Sequence, residues 1–386
     1  MKNFDVCIIG AGASGLMCAC NINNKSVALI DKKEKIGKKI LATGNGRCNL
    51  TNINLDISKY NTPLVKSYFK RFSNKDTLDY FYRLGLETVS DEEGRVYPLS
   101  NTANSVLDVL RLKIEQNKNV TQFCNAEVLS VSKEENFIIK LSDNQVICSK
   151  KLVIALGGNA NLNIFNDLKL PKISYKPSLC GLKTSINKGL NNVRINNTLV
   201  TMKNDLVNFK QKGEVLFKED SISGIVIFNL SSHLARINKY NFELSLDFLP
   251  DVTLENLTQK LLDRKQKLFD YTCENFLTGF FHKALNLHLL EKIKCQLNKK
   301  VSDISISQVK QLALLIKNFK VTCFEPLNNN QVFSGGINLK ALDENFMFKS
   351  IPNLYAIGEF LDVDGECGGY NLQWSWTSGY LCAKNL

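Results

Sequence analysis

The amino-acid sequence predicts an α/β protein built on a parallel sheet, with an inserted β-rich region and a helical region. Three observations support this fold class. A short apolar run near the N-terminus leads directly into a glycine-rich turn and a run of small residues. In the middle of the chain, short apolar runs alternate with Asn- and Lys-rich turns, and leucines at helical spacing follow them. A second glycine-rich block near the C-terminus follows another apolar run, so the parallel sheet is expected to be discontinuous in sequence.

Length and composition exclude several classes of protein. The chain has 386 residues, 44% of them hydrophobic, which is typical of a folded protein with two or three domains. No apolar run is long enough to form a conventional membrane-spanning helix. The twelve cysteines are scattered and there are only three histidines, so we expect neither a disulfide framework nor a metal site. Unpaired cysteines favour a reducing compartment, and we expect the protein to be cytoplasmic.

The charge balance leaves two kinds of partner open. The chain carries 49 Lys and Arg against 37 Asp and Glu, a formal net charge of +12. Such a charge is compatible with a nucleic acid or another anionic partner. The lysines are interspersed with asparagines, as at 116–119, rather than gathered in an arginine-rich stripe. Nucleic-acid binding is therefore the less favoured alternative, and the sequence predicts no oligomeric state.

The N-terminal segment has the pattern of a dinucleotide-binding unit. Phe4–Ile9 has the composition of a buried strand and leads directly into a Gly-x-Gly-x-x-Gly turn. Gly10 permits a tight turn, Gly12 lets the backbone approach a pyrophosphate, and Gly15 lets helix and strand pack closely. Asp31 ends the next apolar run, where a carboxylate accepts hydrogen bonds from a ribose hydroxyl. The residues predicted here to bind a dinucleotide, either FAD or NAD, are Gly10, Gly12, Ala13, Ser14, Gly15, Asp31 and Lys32.

Two further blocks separate these possibilities. Gly37–Asn52 is a glycine-rich loop with short polar residues around an arginine, and Gly358–Trp374 follows an expected strand at Asn353–Ile357. Within the second block, a helix is expected to start after the glycine pair at 368–369. Together with the N-terminal turn, these blocks resemble the aminoacetone oxidase-like family of NAD(P)/FAD-dependent oxidoreductases, which are flavoproteins. The strings Gly-Arg-Cys-Asn-Leu-Thr-Asn and Gly-Gly-Tyr-Asn-Leu-Gln carry the resemblance most specifically.

The resemblance implies a discontinuous Rossmann-like FAD-binding domain, with FAD in an extended pose and its AMP part near the N-terminal turn. By the same analogy, Glu127 and Val128 would contact the adenine through their backbone. The loop Gly44–Asn49 would line the flavin, while Gly358 and Glu359 would approach the pyrophosphate and ribityl chain. The positions that the resemblance adds to the predicted FAD contacts are Gly44, Gly46, Arg47, Cys48, Asn49, Glu127, Val128, Ala155, Gly157, Gly358, Glu359, Asp364, Gly369, Tyr370, Asn371 and Leu372.

Two side chains beside the expected flavin allow more than one role. Arg47 either neutralises reduced flavin or binds an acidic substrate, or it forms a pyrophosphate contact or structural ion pair. Cys48 is followed five residues later by Ile53 rather than by a second cysteine, which disfavours disulfide exchange. A packing role for Cys48 is favoured over tuning of the flavin. Nothing in the sequence identifies a general acid or base, so no catalytic residue is predicted.

The chain is expected to divide into a discontinuous FAD-binding domain and two inserted parts. The predicted divisions are 1–170 with 323–386 for the FAD-binding domain, 171–250 for the β-rich insert domain and 251–322 for the helical subdomain. Within the β-rich part, Val226–Phe228 and Phe242–Phe248 are interpreted as strands. Within the helical part, Leu254, Leu257 and Leu261 suit one helix face.

The sequence therefore predicts an FAD-dependent oxidoreductase that transfers hydride through flavin N5 and acts on a small molecule. No second Gly-x-Gly-x-x-Gly turn occurs, so NADH or NADPH, if used, would dock transiently in the substrate cleft. The chain has Lys218, Glu219 and Ile225 where the family has Thr, His and Pro, so its substrate does not follow from the resemblance. The alternatives are a basic flavoprotein that acts on or binds RNA, and a flavin-binding sensor without turnover.

Overall fold

The computed structural model divides into two compact units. The first unit comprises Met1–Lys176 and Gln331–Leu386, and the second comprises Pro177–Asn330. The residues that the structure describes are 1–185, 188–203, 206–327 and 332–386.

The described residues contain both β-strands and α-helices. The strands are β1 (Lys2–Ile9), β2 (Val27–Ile30), β3 (Thr51–Asn52), β4 (Thr88–Ser90), β5 (Arg95–Pro98), β6 (Val120–Phe123), β7 (Val128–Lys133), β8 (Phe137–Leu141), β9 (Val146–Ile154), β10 (Ile173–Ser178), β11 (Leu182–Thr184), β12 (Arg194–Lys203), β13 (Asn208–Phe217), β14 (Ser221–Ser223), β15 (Phe242–Asp247), β16 (Phe319–Pro326), β17 (Val332–Gly336) and β18 (Leu354–Ala356). The helices are α1 (Ala13–Asn21), α2 (Val65–Phe69), α3 (Asn74–Arg83), α4 (Ala103–Gln116), α5 (Ile225–Ile237), α6 (Leu254–Lys267), α7 (Lys283–Lys292), α8 (Ile306–Lys317) and α9 (Tyr370–Lys384). Across the described ranges, none of the helices combines the length and apolar content needed to cross a membrane.

The first unit is organised around one mixed sheet. Its strands run in the order β6-β2-β1-β9-β8-β7, and β18 also pairs with β9. β1 pairs in parallel with β2 and β9, and β18 is parallel to β9, whereas β7, β8 and β9 form an antiparallel meander. Val6–Ile9 is buried throughout, as expected for a parallel strand covered on both faces. The predicted Rossmann-like α/β fold, with a strand supplied from the C-terminal part of the chain, is confirmed.

Helix α9 packs directly against α1 in the first unit. A Cβ atom on Gly379 would lie 2.5 Å from the backbone oxygen of Ser14, so only glycine permits this approach. Trp374 and Trp376 are fully buried on α9. The Trp376 indole Nε1 donates to the Leu50 carbonyl at 2.9 Å, which ties α9 to the loop before β3. The helix expected after the C-terminal glycine pair is therefore confirmed, and packing fixes its position.

The second unit contains a closed barrel with helices packed on it. The barrel strands run in the order β11-β14-β13-β12-β15-β16. β16 follows α8 in sequence and pairs with β15, so the barrel closes only after the helices have been made. Leu246 of β15 and Phe319 of β16 share one buried apolar cluster with Leu257 and Leu312 of the helices. The domain boundaries expected at residues 170, 250 and 322 stay predictions.

The interpretation of Val226–Phe228 as a strand is wrong, because α5 runs through it. Buried positions continue to Leu230 and Leu234, at the spacing of a helix face. Gly224 precedes the helix with φ +112°, and a Cβ atom there would lie 2.1 Å from the Glu214 carbonyl oxygen. Three consecutive apolar residues carry no period of their own, so the run alone could not distinguish helix from strand. The strand expected at 242–248 and helices between 254 and 317 are present.

Candidate dinucleotide-binding site

The glycine-rich turn between β1 and α1 is shaped by two close backbone approaches. Gly10 has φ +104°, and a Cβ atom on it would lie 2.4 Å from the Ala155 carbonyl oxygen. A Cβ atom on Gly15 would lie 1.9 Å from the Gly10 carbonyl oxygen, which no side chain could tolerate. Around Gly12, by contrast, none of the described residues has an atom within 4 Å of the position that a Cβ atom would take. The first and third glycines are therefore required by packing, while the second borders open space.

This open space adjoins the N-terminus of α1. The helix begins at Ala13, and Gly12 at its N-cap position provides no side-chain cap. The first N–H groups of a helix lack intrahelical partners, and the helix dipole adds partial positive charge there. Ser14 in this turn is 6% exposed. An uncapped helix start beside open space offers the N–H donors and positive charge that bind a pyrophosphate. The glycine-rich turn between β1 and α1 therefore fits a dinucleotide.

Asp31 follows β2 and contacts the same turn. Its Oδ2 accepts from the Ala11 N–H at 2.9 Å, and its Oδ1 accepts from the Lys33 N–H at 2.9 Å. The carboxylate thus fixes the glycine-rich turn, and its remaining lone pairs can accept from a ribose hydroxyl. Lys32 lies beside it with Nζ 3.9 Å from the Glu127 carboxylate, and both side chains are largely exposed. The predicted residues of this region lie at one end of the sheet.

The backbone at Glu127 is already paired. Its N–H donates to the Ser142 hydroxyl at 3.2 Å, and its carbonyl oxygen accepts from the Ser142 N–H at 2.8 Å. Val128 begins β7 and is 7% exposed. Contact of these two residues with an adenine stays a prediction, and at Glu127 it would compete with the bonds to Ser142.

The loop after β2 has an unusual backbone. Gly44, Asn45, Gly46 and Cys48 all have positive φ, between +56° and +83°. A Cβ atom on Gly44 would lie 2.6 Å from the Asn49 backbone nitrogen, whereas at Gly46 no atom of the described part of the chain lies within 4 Å of such a position. A non-glycine residue in this conformation costs roughly 1–2 kcal/mol, so Asn45 and Cys48 are held in place by their surroundings. The loop is therefore preorganised rather than an ordinary surface turn.

Asn49 joins this loop to the start of α9. In the orientation of its amide that satisfies both neighbours, the side-chain oxygen accepts from the Gly369 N–H at 3.0 Å, and the nitrogen donates to the Thr51 carbonyl at 3.0 Å. Gly369 has φ +96°, and a Cβ atom there would lie 2.4 Å from Thr51 backbone atoms. The structure thus brings together the Gly37–Asn52 and Gly358–Trp374 blocks, which are more than 300 residues apart.

The residues that open α9 are held by local contacts. The Asn371 amide exchanges two hydrogen bonds with the backbone of Gly365, at 3.0 and 2.9 Å. Tyr370 is 1% exposed, and its carbonyl oxygen accepts from the Tyr60 hydroxyl at 2.8 Å. Leu372 is half-buried. Gly369, the N-cap residue of α9, has no side chain to cap the helix, so α9, like α1, starts without a cap from its own N-cap residue.

Gly358 connects β18 to the N-terminal turn. It has φ +67°, and a Cβ atom there would lie 2.3 Å from the Ser14 hydroxyl oxygen. Its N–H donates to the Ser378 hydroxyl at 2.9 Å, and its carbonyl oxygen accepts from the Trp374 indole at 3.1 Å. The predicted contact residues at the two ends of the chain are therefore direct neighbours. Ser378 was not predicted, because its role depends on the position of α9.

Glu359 forms a small charged cluster. Its carboxylate accepts from the Gly158 N–H at 3.3 Å and from the Phe333 N–H at 3.2 Å. A Cβ atom on Gly157 would lie 3.2 Å from Lys39 Nζ and 3.6 Å from Glu359 Oε2, so the two charged groups flank this glycine. Burial raises the pKa of Glu359, while Lys39 and the two amide donors partly offset the rise. Sequence reasoning missed Lys39, because nothing distinguished it from the neighbouring lysines.

Asp364 lies in the interior of the first unit. It is 2% exposed, and its Oδ2 accepts from the Ser334 hydroxyl at 3.0 Å. Its backbone N–H donates to the Asn61 side chain at 3.0 Å. These contacts hold the loop before α9, and a direct contact of Asp364 with FAD stays a prediction.

Arg47 and Cys48 have different environments. The exposed Arg47 guanidinium lies 4.4 Å from the centroid of the Tyr97 ring and forms no ion pair with the residues that the structure describes. This cation–π stacking, on a tyrosine that the sequence did not single out, holds the charge beside the loop. Cys48 is fully buried, and burial raises the pKa of its thiol to about 12. The thiol stays protonated at neutral pH, which favours the packing role.

Comparison with known proteins agrees with this architecture. Residues 4–385 match the family described as HI0933-like protein Rossmann domain. The 3-dehydro-bile acid delta(4,6)-reductase of Clostridium scindens is 32% identical over 401 residues, covering 98% of this chain and 97% of that protein. The ribosomal RNA dihydrouridine synthase of Escherichia coli is 31% identical over 421 residues, covering 100% of this chain and 98% of that protein.

Among solved structures, 3-ketosteroid delta1-dehydrogenase from Sterolibacterium denitrificans is similar, with a TM-score of 0.50 and 14% identity. The alignment covers 100% of this chain and 99% of that one. The E. coli quinol fumarate reductase subunit FrdA also has a TM-score of 0.50 at 14% identity, with 100% of this chain and 70% of that chain covered. These likenesses concern the fold alone. Because the family match spans nearly the whole chain, this protein belongs to the HI0933-like Rossmann domain family.

Proposed function

We propose that this protein, an FAD-dependent oxidoreductase, takes hydride from NADH or NADPH and reduces an unsaturated substrate. The observation that carries the proposal is the open, uncapped start of α1 beside Gly12, with Asp31 fixed against the same turn. When bound, FAD accepts and donates a hydride at its N5 position. The proposal includes the resemblance to aminoacetone oxidase-like proteins, which depends on the sequence of the Gly37–Asn52 loop.

The chain's own residues bind and orient the cofactor. The N–H groups at the start of α1 bind the pyrophosphate, and Asp31 accepts from the ribose. The positive-φ loop Gly44–Cys48, fixed to α9 by Asn49, lines the flavin. The uncapped start of α9 would favour negative charge on a flavin bound beside it. Arg47, stacked on Tyr97, provides a cation for the substrate side of that loop.

The proposed substrate class is a carbon–carbon double bond conjugated to a carbonyl. The names of two relatives support it, since one is a delta(4,6)-reductase of a 3-dehydro compound and the other a dihydrouridine synthase. In such a substrate, hydride adds to the carbon β to the carbonyl, and a proton then adds to the α carbon. One NAD(P)H and one proton are consumed for each double bond that is reduced.

Anaerobic spectroscopy of the purified holoprotein tests the proposal. We expect the yellow flavin absorbance to bleach rapidly with NADH or NADPH, and to return when a cyclic enone is added. Enone-dependent recovery with stoichiometric consumption of the enone would show that the reduced flavin passes its hydride to the enone. If fully loaded protein bleached with neither nicotinamide, the NAD(P)H linkage would be refuted, and reduced amines would be tested as hydride donors instead.

A second candidate function is reduction of uridine in RNA. Two observations favour it: the formal net charge of +12, and 31% identity across the whole chain to a ribosomal RNA dihydrouridine synthase. Dihydrouridine formation in RNA incubated with the holoprotein and NADPH, measured by mass spectrometry of nucleosides, tests it. RNA binding should weaken steeply with salt, and no binding at low salt would remove this candidate.

A further inference from the structure

Two neighbouring aromatic side chains are exposed in the second unit, just after α6. Phe269 is 55% exposed and Tyr271 is 58% exposed. Their backbone is firmly held, since Ser302 N–H donates to the Phe269 carbonyl at 3.1 Å and Val301 N–H donates to the Tyr271 carbonyl at 2.8 Å. The rings are therefore presented to solvent by a fixed turn. Isolated exposed aromatics are common on protein surfaces, but two on one ordered turn suggest a binding surface.

Lysines are frequent in the two segments that form this turn. Residues 265–271 and 299–302, here called the basic aromatic turn, contain four lysines and one aspartate, a net charge of +3. Lys265 Nζ donates to the Ser302 carbonyl at 2.9 Å, and Lys300 pairs with Asp270 at 3.0 Å. Lys267 and Lys299 are exposed and form no ion pair with the part of the chain that the structure describes. The turn therefore keeps positive charge available to an anionic partner.

The wider charge distribution has the same sign. Pro177–Asn330 carries 21 Lys and Arg against 14 Asp and Glu, a net +7 of the chain's +12 in 154 of its 386 residues. A positive electrostatic potential over this unit raises the rate at which it encounters a polyanion. High salt screens the potential and reduces this increase.

We propose that the basic aromatic turn binds single-stranded RNA. Phe269 and Tyr271 stack on unpaired bases, and Lys267 and Lys299 pair with the phosphates on either side. Aromatic rings interleaved with lysines are the combination that binds single strands with little dependence on sequence. A protein partner would use the rings but would not need the unpaired lysines, so charge complementarity favours the polyanion. The proposal rests on the second candidate function above.

The test measures binding of the full-length holoprotein to a fluorescent single-stranded RNA of mixed sequence, at several salt concentrations. We expect Phe269→Ala and Tyr271→Ala each to weaken binding roughly tenfold, through the lost stacking. Tyr82→Ala is the matched control, because Tyr82 is 65% exposed in the first unit. Lys267→Gln with Lys299→Gln should lower the slope of log affinity against log salt by about 1.4. Lys118→Gln, at another exposed lysine, should leave the slope unchanged.

Flavin content and nicotinamide bleaching, measured on the same variants, separate this proposal from the functions above. Both should match the parent protein in every variant. If the parent made dihydrouridine in RNA while the aromatic variants bound RNA normally, the proposed surface would be wrong and the candidate function would stand. If the parent protein did not bind single-stranded RNA at low salt, the proposed surface and the second candidate function would both be refuted. A changed oligomeric state with unchanged RNA affinity would assign the turn to a protein contact and overturn the proposal.

Discussion

Substitution of Gly12 separates cofactor binding from folding. The residue has φ −79° and ψ −164°, which any residue adopts, and open space surrounds the position of a Cβ atom. In Gly12→Ala, poorer capping of α1 lowers the free energy of unfolding by about 0.5–1 kcal/mol. The reduced conformational freedom of the unfolded chain raises it by about 0.4–1 kcal/mol. The free energy of unfolding of the flavin-free protein should therefore change by less than about 1 kcal/mol.

Gly12→Ala should change the affinity for flavin far more than it changes the free energy of unfolding. A methyl group at Gly12 occupies the space that the pyrophosphate must enter, so that at least two charge-assisted N–H bonds from the start of α1 are lost. At about 1.5–3 kcal/mol each, this loss weakens FAD binding by at least about 100-fold. Gly12→Val, with a larger side chain, should give folded but largely colourless protein.

Flavin content after purification and fluorescence titration of the flavin-free protein measure binding, and thermal unfolding of that protein measures stability. Gly15→Ala is the contrasting variant, because a Cβ atom there would lie 1.9 Å from the Gly10 carbonyl oxygen. Such overpacking should cost at least about 1–3 kcal/mol of stability even without flavin. Full flavin content in Gly12→Val, or equal loss of stability in Gly12→Ala and Gly15→Ala, would refute the assignment of Gly12 to the cofactor.

Three further predictions concern the loop and the charged cluster. Asn49→Ala should lower the free energy of unfolding by about 1–3 kcal/mol, because two hydrogen bonds to the backbone are lost, and an unchanged melting temperature would contradict the link to Gly369. Cys48 should resist alkylation by iodoacetamide at pH 8, because a pKa of about 12 leaves about one thiol in ten thousand ionised. Mass spectrometry measures the modification, and a rate equal to that of an exposed thiol would contradict this environment. Burial raises the pKa of Glu359 in the folded state, so its proton stabilises the fold at acid pH, and that stabilisation is lost as pH rises from about 4.5 through the raised pKa. Unfolding of Glu359→Gln should therefore depend less on pH over this range, and a parallel pH profile would refute the shift.

Local sequence patterns predicted much of the first unit. A strand buried on both faces is apolar throughout, as in Val6–Ile9, and a glycine forced by backbone contact leaves a fixed spacing, as at Gly10 and Gly15. The start of α9 was likewise marked by paired glycines with positive φ, of which Gly369 leaves no room for a Cβ atom beside Thr51. In each case the cause lies within a few residues or in a backbone conformation that few residue types can adopt.

Contacts between residues that are far apart in the sequence could not be predicted from local patterns. Lys39 is one of several lysines in its segment, and only the fold brings it beside Glu359, 320 residues later. The stacking of Arg47 on Tyr97 also requires the three-dimensional arrangement. In the second unit, the helix through Val226–Phe228 was missed because a short apolar run fits either a helix or a strand.

The position of β18 and α9 late in the chain has a consequence for biosynthesis. At about 5–20 residues per second, the ribosome needs roughly 10–30 s to make Pro177–Asn330. During that interval the nascent first unit lacks the helix that covers α1 and the Gly369 N–H that Asn49 accepts. The barrel has by then received all its strands and can fold first. The candidate flavin site is thus completed only near the end of synthesis, because α9 and Gly369 are among the last residues made.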